Sequence, residues 1–166
     1  ETSTLADAHF SPGEDCRRQL LDLLVSARES IDISVFTISD DRLTEAILTA
    51  HKRKVNVRLI TDNDKASDQG SDIYYLINQG LPVRMDASEN HMHHKFAVID
   101  GASLNASLIT GSANWSLSSQ NNYSENILFF DQEPGIAAAF GEQFTNLWQI
   151  SKEFGETKFG NESNVN

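Results

Sequence analysis

Residues 91–116, HMHHKFAVIDGASLNASLITGSANWS, hold two strand candidates in close succession. The first runs from His93 to Ile99 and the second from Leu108 to Thr110. Side chains alternate along a strand, so His93 and Lys95 point one way while His94 and Phe96 point the other. Beyond Lys95 the run Phe96–Ile99 is apolar on both faces, as in a strand covered on both sides. Burying an unpaired neutral polar group already costs roughly 2–7 kcal/mol, and an ammonium costs more. An imidazole and an ammonium at the head of such a strand therefore point to chemistry. Asp100-Gly101 supplies a turn signal, and Gly111-Ser112-Ala113-Asn114 closes the second strand. A third strand candidate, Asn126 to Phe130, begins just after Glu125.

Upstream, SPGEDCRRQLLDLLVSARES (11–30) opens on Ser-Pro and carries Leu20, Leu21 and Leu24 at helical spacing. IDISVFTI (31–38) alternates as a strand. DDRLTEAILTAHKRK (40–54) is a second helix with Leu43, Ala46, Ile47 and Ala50 inward. VNVRLITD (55–62) is a second strand that runs into Asp62, Asn63 and Asp64. A short helix closed by Gly80 and a short strand, LPVRM (81–85), follow. The chain's last long element, from Pro134 onward, packs through Ile136, Phe140, Phe144 and Leu147. This order predicts an α/β fold with a mixed, largely parallel sheet sandwiched between helices and right-handed crossovers. The expected division is an N-terminal extension over 1–9, one domain over 10–152 and a polar tail over 153–166.

Composition narrows the function. Hydrophobic residues make up 39% of 166 and mean hydropathy is −0.38, the profile of a globular domain. No apolar run approaches the ~20 residues that span a bilayer, so stable membrane insertion of this chain is not expected. Composition does not fix the compartment; a bacterial cytoplasm or periplasm is compatible with it. The lone Cys16 rules out an intrachain disulfide and a Cys-rich zinc site. Net charge is −11, a poor overall match to a polyanion. Lys52, Arg53 and Lys54 form a local exception, either a helix end suited to the macrodipole or a rim that contacts substrate phosphates.

Three neighbouring strand ends thus deliver His93, Lys95, Ser112, Asn114 and Glu125. A histidine is a competent nucleophile toward phosphorus, and two displacements are each easier than one. A carboxylate such as Glu125 on the far ring nitrogen would set the tautomer. Lys95 and Asn114 would hold the non-bridging oxygens where charge builds. Such a site needs no metal and no other cofactor. His91, His93 and His94 could be read as metal ligands, but the neighbouring Lys95 ammonium disfavours a cation. Ser112 lacks the G-x-S-x-G elbow of a serine hydrolase.

HHKFAVID followed by TGSANW and SEN resembles the phospholipase D superfamily, whose signature is H-x-K-x-x-x-x-D, then G-S-x-N and a downstream glutamate. His93, Lys95 and Asp100 match the first part, Gly111, Ser112 and Asn114 the second, and Glu125 the last. The resemblance runs from about Phe10 to Trp148. It is closest to single-motif members, the bacterial endonucleases and the Zucchini or mitochondrial cardiolipin hydrolase group. It implies a metal-independent phosphodiesterase acting through a phosphohistidine, with His93, Lys95, Asp100 and Glu125 catalytic. Asp100, past the strand end, suits pairing or orienting. Because one copy holds one His-Lys set, the resemblance implies a homodimer with a composite site.

Single-stranded nucleic acid is the expected substrate, with Ser112, Asn114, Lys52, Arg53 and Lys54 binding it. A phospholipid such as cardiolipin is the alternative. A catalytically idle binding module would be expected to lack a signature residue, and none is missing.

Overall fold

The computed structural model describes residues 5–154. Its centre is an eight-stranded sheet, ordered β1-β7-β6-β5-β2-β3-β4-β8. The strands are β1 (Ala6–Ser11), β2 (Ser30–Val35), β3 (Asn56–Thr61), β4 (Val83–Met85), β5 (Lys95–Ile99), β6 (Ser107–Gly111), β7 (Glu125–Phe130) and β8 (Lys152–Glu153). The helices are α1 (Asp15–Ser26), α2 (Asp41–Lys52), α3 (Ile73–Asn78), α4 (Leu117–Asn121) and α5 (Pro134–Ile150).

The α/β class and the mixed sheet agree with the sequence reading, but the balance of directions does not. Only β2–β3 and β3–β4 run parallel, while β1–β7, β2–β5, β4–β8, β5–β6 and β6–β7 are antiparallel. The reason is connection length. The link between β5 and β6, residues 100–106, cannot carry the crossover that a parallel neighbour needs. Residues 6–9, expected in an extension, pair with β7 as an edge strand, and β8 runs to Glu153. The polar tail from residue 155 onward lies outside the described residues.

Alternation along β5 divides the core. Phe96 and Val98 join Ile60, Leu108, Ala137 and Phe144 under α5. Ala97 and Ile99 join Ile33, Leu59, Leu20, Leu24 and Ile47 under α1 and α2. Helices therefore cover both faces, as the apolar FAVI run requires. α5 starts at Pro134, where a missing N–H costs nothing. The α2 start is capped by Asp40, whose carboxylate accepts from Arg42 N at 3.1 Å.

Antiparallel pairing sets which ends meet. The C-terminal ends of β2 and β3, the start of β5, the end of β6 and the start of β7 all lie at one edge of the sheet. Gly111 is required there. A Cβ at that position would sit 2.2 Å from Asn126 O and 2.7 Å from Ile127 Cα, a collision with the backbone of β7.

Candidate active site

His93 precedes β5 and is exposed; the strand itself starts at Lys95. The nucleophile candidate therefore sits at the mouth of the strand, not inside it, and the burial cost falls mainly on Lys95. The shared face holds as expected. Lys95 Nζ lies 2.7 Å from His93 Nδ1 and 3.4 Å from Nε2, and donates to the His93 carbonyl at 3.0 Å. Burial lowers the pKa of His93, the neighbouring Lys95 charge lowers it further, and His91 adds to both. Lys95 is also lowered by burial, with Glu125 pulling in the opposite direction. His94 packs against Phe96, ring centroids 5.4 Å apart, on the opposite face.

Asn114 is placed by its neighbours. Its Oδ1 accepts from Thr37 N at 3.2 Å, and its carbonyl accepts from the buried Gln120 amide at 3.0 Å. The adjoining Trp115, almost fully buried, bonds the 37–40 segment through Thr37 O, Ser39 N and Asp40 N. Beneath this loop the buried Arg17 ties three helices together. It donates to Asp40 at 2.6 Å, Glu14 at 2.6 Å and Asn121 at 2.7 Å. Ser112 is exposed, and its Oγ accepts from Asn126 N at 3.0 Å, so the hydroxyl both pins β7 and retains a proton to donate.

Other sequence expectations change. Glu125 stands at the start of β7 near Lys95, but the ring partners of His93 are Lys95 and Phe36 rather than Glu125. Asp100 lies at the far end of β5, roughly 16 Å from Lys95 at ~3.3 Å per residue. There its carboxylate accepts from the backbone amides of Arg28, Glu29 and Ser30 at 2.7–3.2 Å. It locks the α1–β2 connection to the sheet and cannot reach a reacting phosphate.

Lys52, Arg53 and Lys54 also sit at that far end, since they precede Asn56, which pairs with Ser30. Arg53 donates to the carbonyls of Leu24, Val25 and Ala27, capping α1. Changing all three to Gln is expected to leave turnover and its salt dependence unaltered, while thermal melting drops. A salt slope reduced by about one or more phosphate contacts would contradict this placement.

Three features escaped sequence reading. Phe36, just past β2, centres 4.5 Å from the His93 ring and 5.4 Å from that of His91. Asp62, fully buried, faces His91. Asp62, Asp64 and His91 bring one ligand atom each within 4.8 Å of one another, a trio different from the three histidines weighed in the sequence. The third feature is a groove of about 500 Å³, with His91, His93, His94, Leu147 and Ile150 among its walls. Ile150 is 69% exposed, giving the site an apolar rim from the end of α5. Strand patterning signalled neither the groove nor its wall, because α5 reaches the site only in the folded chain.

Residues 20–148 match the family described as "Cardiolipin synthase, PLD-like domain". The mitochondrial cardiolipin hydrolase of Chlamydomonas reinhardtii is 42% identical over 134 residues, 81% of this chain and 58% of that protein. That of Xenopus tropicalis is 44% identical over 131 residues (79% and 60%), and that of Homo sapiens 37% over 147 (89% and 55%). The chain thus spans little more than half the length of these relatives. Among solved structures, Nuc from Salmonella typhimurium, described as a phospholipase D family member, superposes with a TM-score of 0.84 at 24% identity, covering 92% of this chain and 99% of that one. NucT from Helicobacter pylori gives 0.80 at 22%, covering 92% and 100%. At those identities the likeness establishes the fold.

The sequence leaves the compartment open, with a bacterial one compatible, whereas these hydrolases are eukaryotic and mitochondrial by name. No helix among the described residues is long and apolar enough to cross a membrane. The family match takes in His93, Lys95, Ser112, Asn114 and Glu125 together with the sheet that gathers them, and the chain belongs to the phospholipase D-like family.

Proposed function

We propose that this chain is a metal-independent phosphodiesterase that works through a phosphohistidine, and that its substrate class is phospholipid diesters of the cardiolipin kind. The observation that carries the chemistry is the His93–Lys95 pair, 2.7 Å apart, with His93 on the wall of the groove. A ring nitrogen of His93 attacks phosphorus and forms the P–N bond as the bond to the leaving oxygen breaks. Lys95, swinging from the ring to the phosphate, and Asn114, through its free amide, hold the non-bridging oxygens. The leaving oxygen takes a proton from an imidazolium, which one copy of the chain does not supply. We assign that acid to His93 of a second copy in a C2 dimer. The same imidazole then accepts a proton from water as the water attacks phosphorus and breaks the P–N bond.

Several observations favour lipid over the single-stranded nucleic acid that the sequence suggested. The basic run is remote from His93, and the site is bordered by Asp62, Asp64, Asp86 and Glu125. Leu147 and Ile150 offer apolar surface beside the nucleophile. The relatives named above are cardiolipin hydrolases. One observation supports the nucleic-acid reading: Lys65 and Lys95 place their ammonium groups 5.5 and 5.6 Å from the Phe36 ring, a pairing that can receive a base.

Purified protein in EDTA is expected to release phosphatidic acid from cardiolipin vesicles while leaving single-stranded DNA and RNA intact. Cleavage of the oligonucleotides with intact vesicles would reassign the substrate. Loss of all activity in EDTA, restored by a divalent ion, would end the metal-independent scheme.

A further inference from the structure

The segment that delivers His93 follows a loop after β4 and precedes the strand, and the β2 side of the sheet reaches it only at His94, whose carbonyl accepts from Phe36 N at 3.0 Å. Asp62 stands directly behind it. This residue follows β3 and is fully buried, and a carboxylate in that position must be satisfied by hydrogen bonds. Its Oδ1 accepts from Met92 N at 2.9 Å and its Oδ2 from Asp64 N at 3.2 Å. The remaining partner is His91, whose Nδ1 lies 3.4 and 3.3 Å from the two oxygens. Met92 in turn is buried, with its sulfur accepting from the Ser34 hydroxyl at 3.2 Å. The rings of His91 and His93 both rest on Phe36. His91, Met92 and His93 are thus fixed from one buried anion and one aromatic ring.

We propose that Asp62 and His91 are positioning residues for His93: the buried carboxylate holds the 91–93 segment against the end of β3, and the His91 ring is its side-chain donor. The inference rests on His93 being the nucleophile. It also accounts for the Asp62–Asp64–His91 trio without a metal, since both Asp62 oxygens already accept from backbone amides. His91 is half exposed, so replacing it does not threaten the core.

The side chains of Asn and Gln separate the possible roles, because the amide nitrogen of Asn stands where Nδ1 of histidine does and that of Gln where Nε2 does. With the soluble diester bis(p-nitrophenyl) phosphate, His91→Asn is expected to keep kcat within about twofold of wild type. His91→Gln and His91→Ala are expected to lose on the order of 10-fold in kcat with little change in KM, as misplacement of a nucleophile does. Asp62→Asn, which retains one oxygen but loses the second acceptor, is expected to lose at least as much. Amide hydrogen exchange at Met92 reads the same geometry without turnover. It should quicken in His91→Ala and Asp62→Asn and stay slow in His91→Asn.

If His91→Asn falls as far as His91→Ala, the ring acts on substrate and the positioning role is wrong. Wild-type kcat and wild-type Met92 exchange in His91→Ala would likewise overturn it, as would a stoichiometric divalent ion bound by wild type and lost in His91→Ala. Absence of wild-type hydrolysis would count against the catalytic reading alone, since Met92 exchange would still decide whether Asp62 and His91 hold the segment.

Discussion

Replacing His93 with alanine is expected to abolish turnover, by on the order of 10⁴-fold or more, and to leave the fold intact. Loss of a nucleophile removes the covalent route altogether, and residues acting as one unit fail together. The fold should tolerate the change because His93 is exposed and precedes the strand. Wild-type reactions quenched in denaturant at neutral pH should show base-stable, acid-labile phosphate on His93, and the variant should show none. The same variant tests the composite site. If His93→Ala and wild-type subunits exchange at random in equal amounts and two copies build one site, only wild-type pairs are complete. About a quarter of the activity then remains, against half for independent sites. Half the activity after complete exchange, checked by native mass spectrometry, would refute the shared site. Near-normal turnover by His93→Ala itself would remove the whole assignment.

Lys95→Met should lower kcat by on the order of 10²- to 10³-fold, the range for losing one donor to a developing oxyanion. Methionine keeps most of the length and apolar stem, so the expected loss is of charge and not of packing. A second readout separates charge from simple damage. His93 must be neutral to attack, so activity falls as pH drops through its pKa. Burial lowers that pKa first, and the Lys95 charge lowers it further. Removing the ammonium therefore raises the His93 pKa, and the acid limb of kcat/KM is expected to move to higher pH. Burial persists, so the limb should not return fully to that of a free imidazole. A variant with the wild-type acid limb would show that Lys95 does not set the protonation of His93.

The local pattern already named the candidate groups that the fold brings together. His93 and Lys95 share a face because strand alternation is a local rule, and it holds even though β5 begins only at Lys95. The apolar FAVI run likewise announced a sheet covered on both faces. The family signature then placed Ser112, Asn114 and Glu125 beside them. What the signature did not separate was the two ends of a strand. Asp100 belongs to the same motif as His93, yet a five-residue strand carries it to the opposite edge, where it binds backbone amides.

The remaining decisions were made by pairing between segments distant in the chain. Whether Lys52–Lys54 borders the site depends on which end of β3 faces substrate, and the parallel register with β2 puts the run at the wrong end. The direction of β5 relative to β2, the capture of residues 6–9 by β7, and the placing of Ile150 and His93 on one groove are all non-local. So is the bond from Asp62 to Met92, thirty residues apart. Composition and periodicity specify which faces are apolar and which side chains can react. Strand order and direction, set by burying those faces together within the limits of short connections, decided which reactive groups meet.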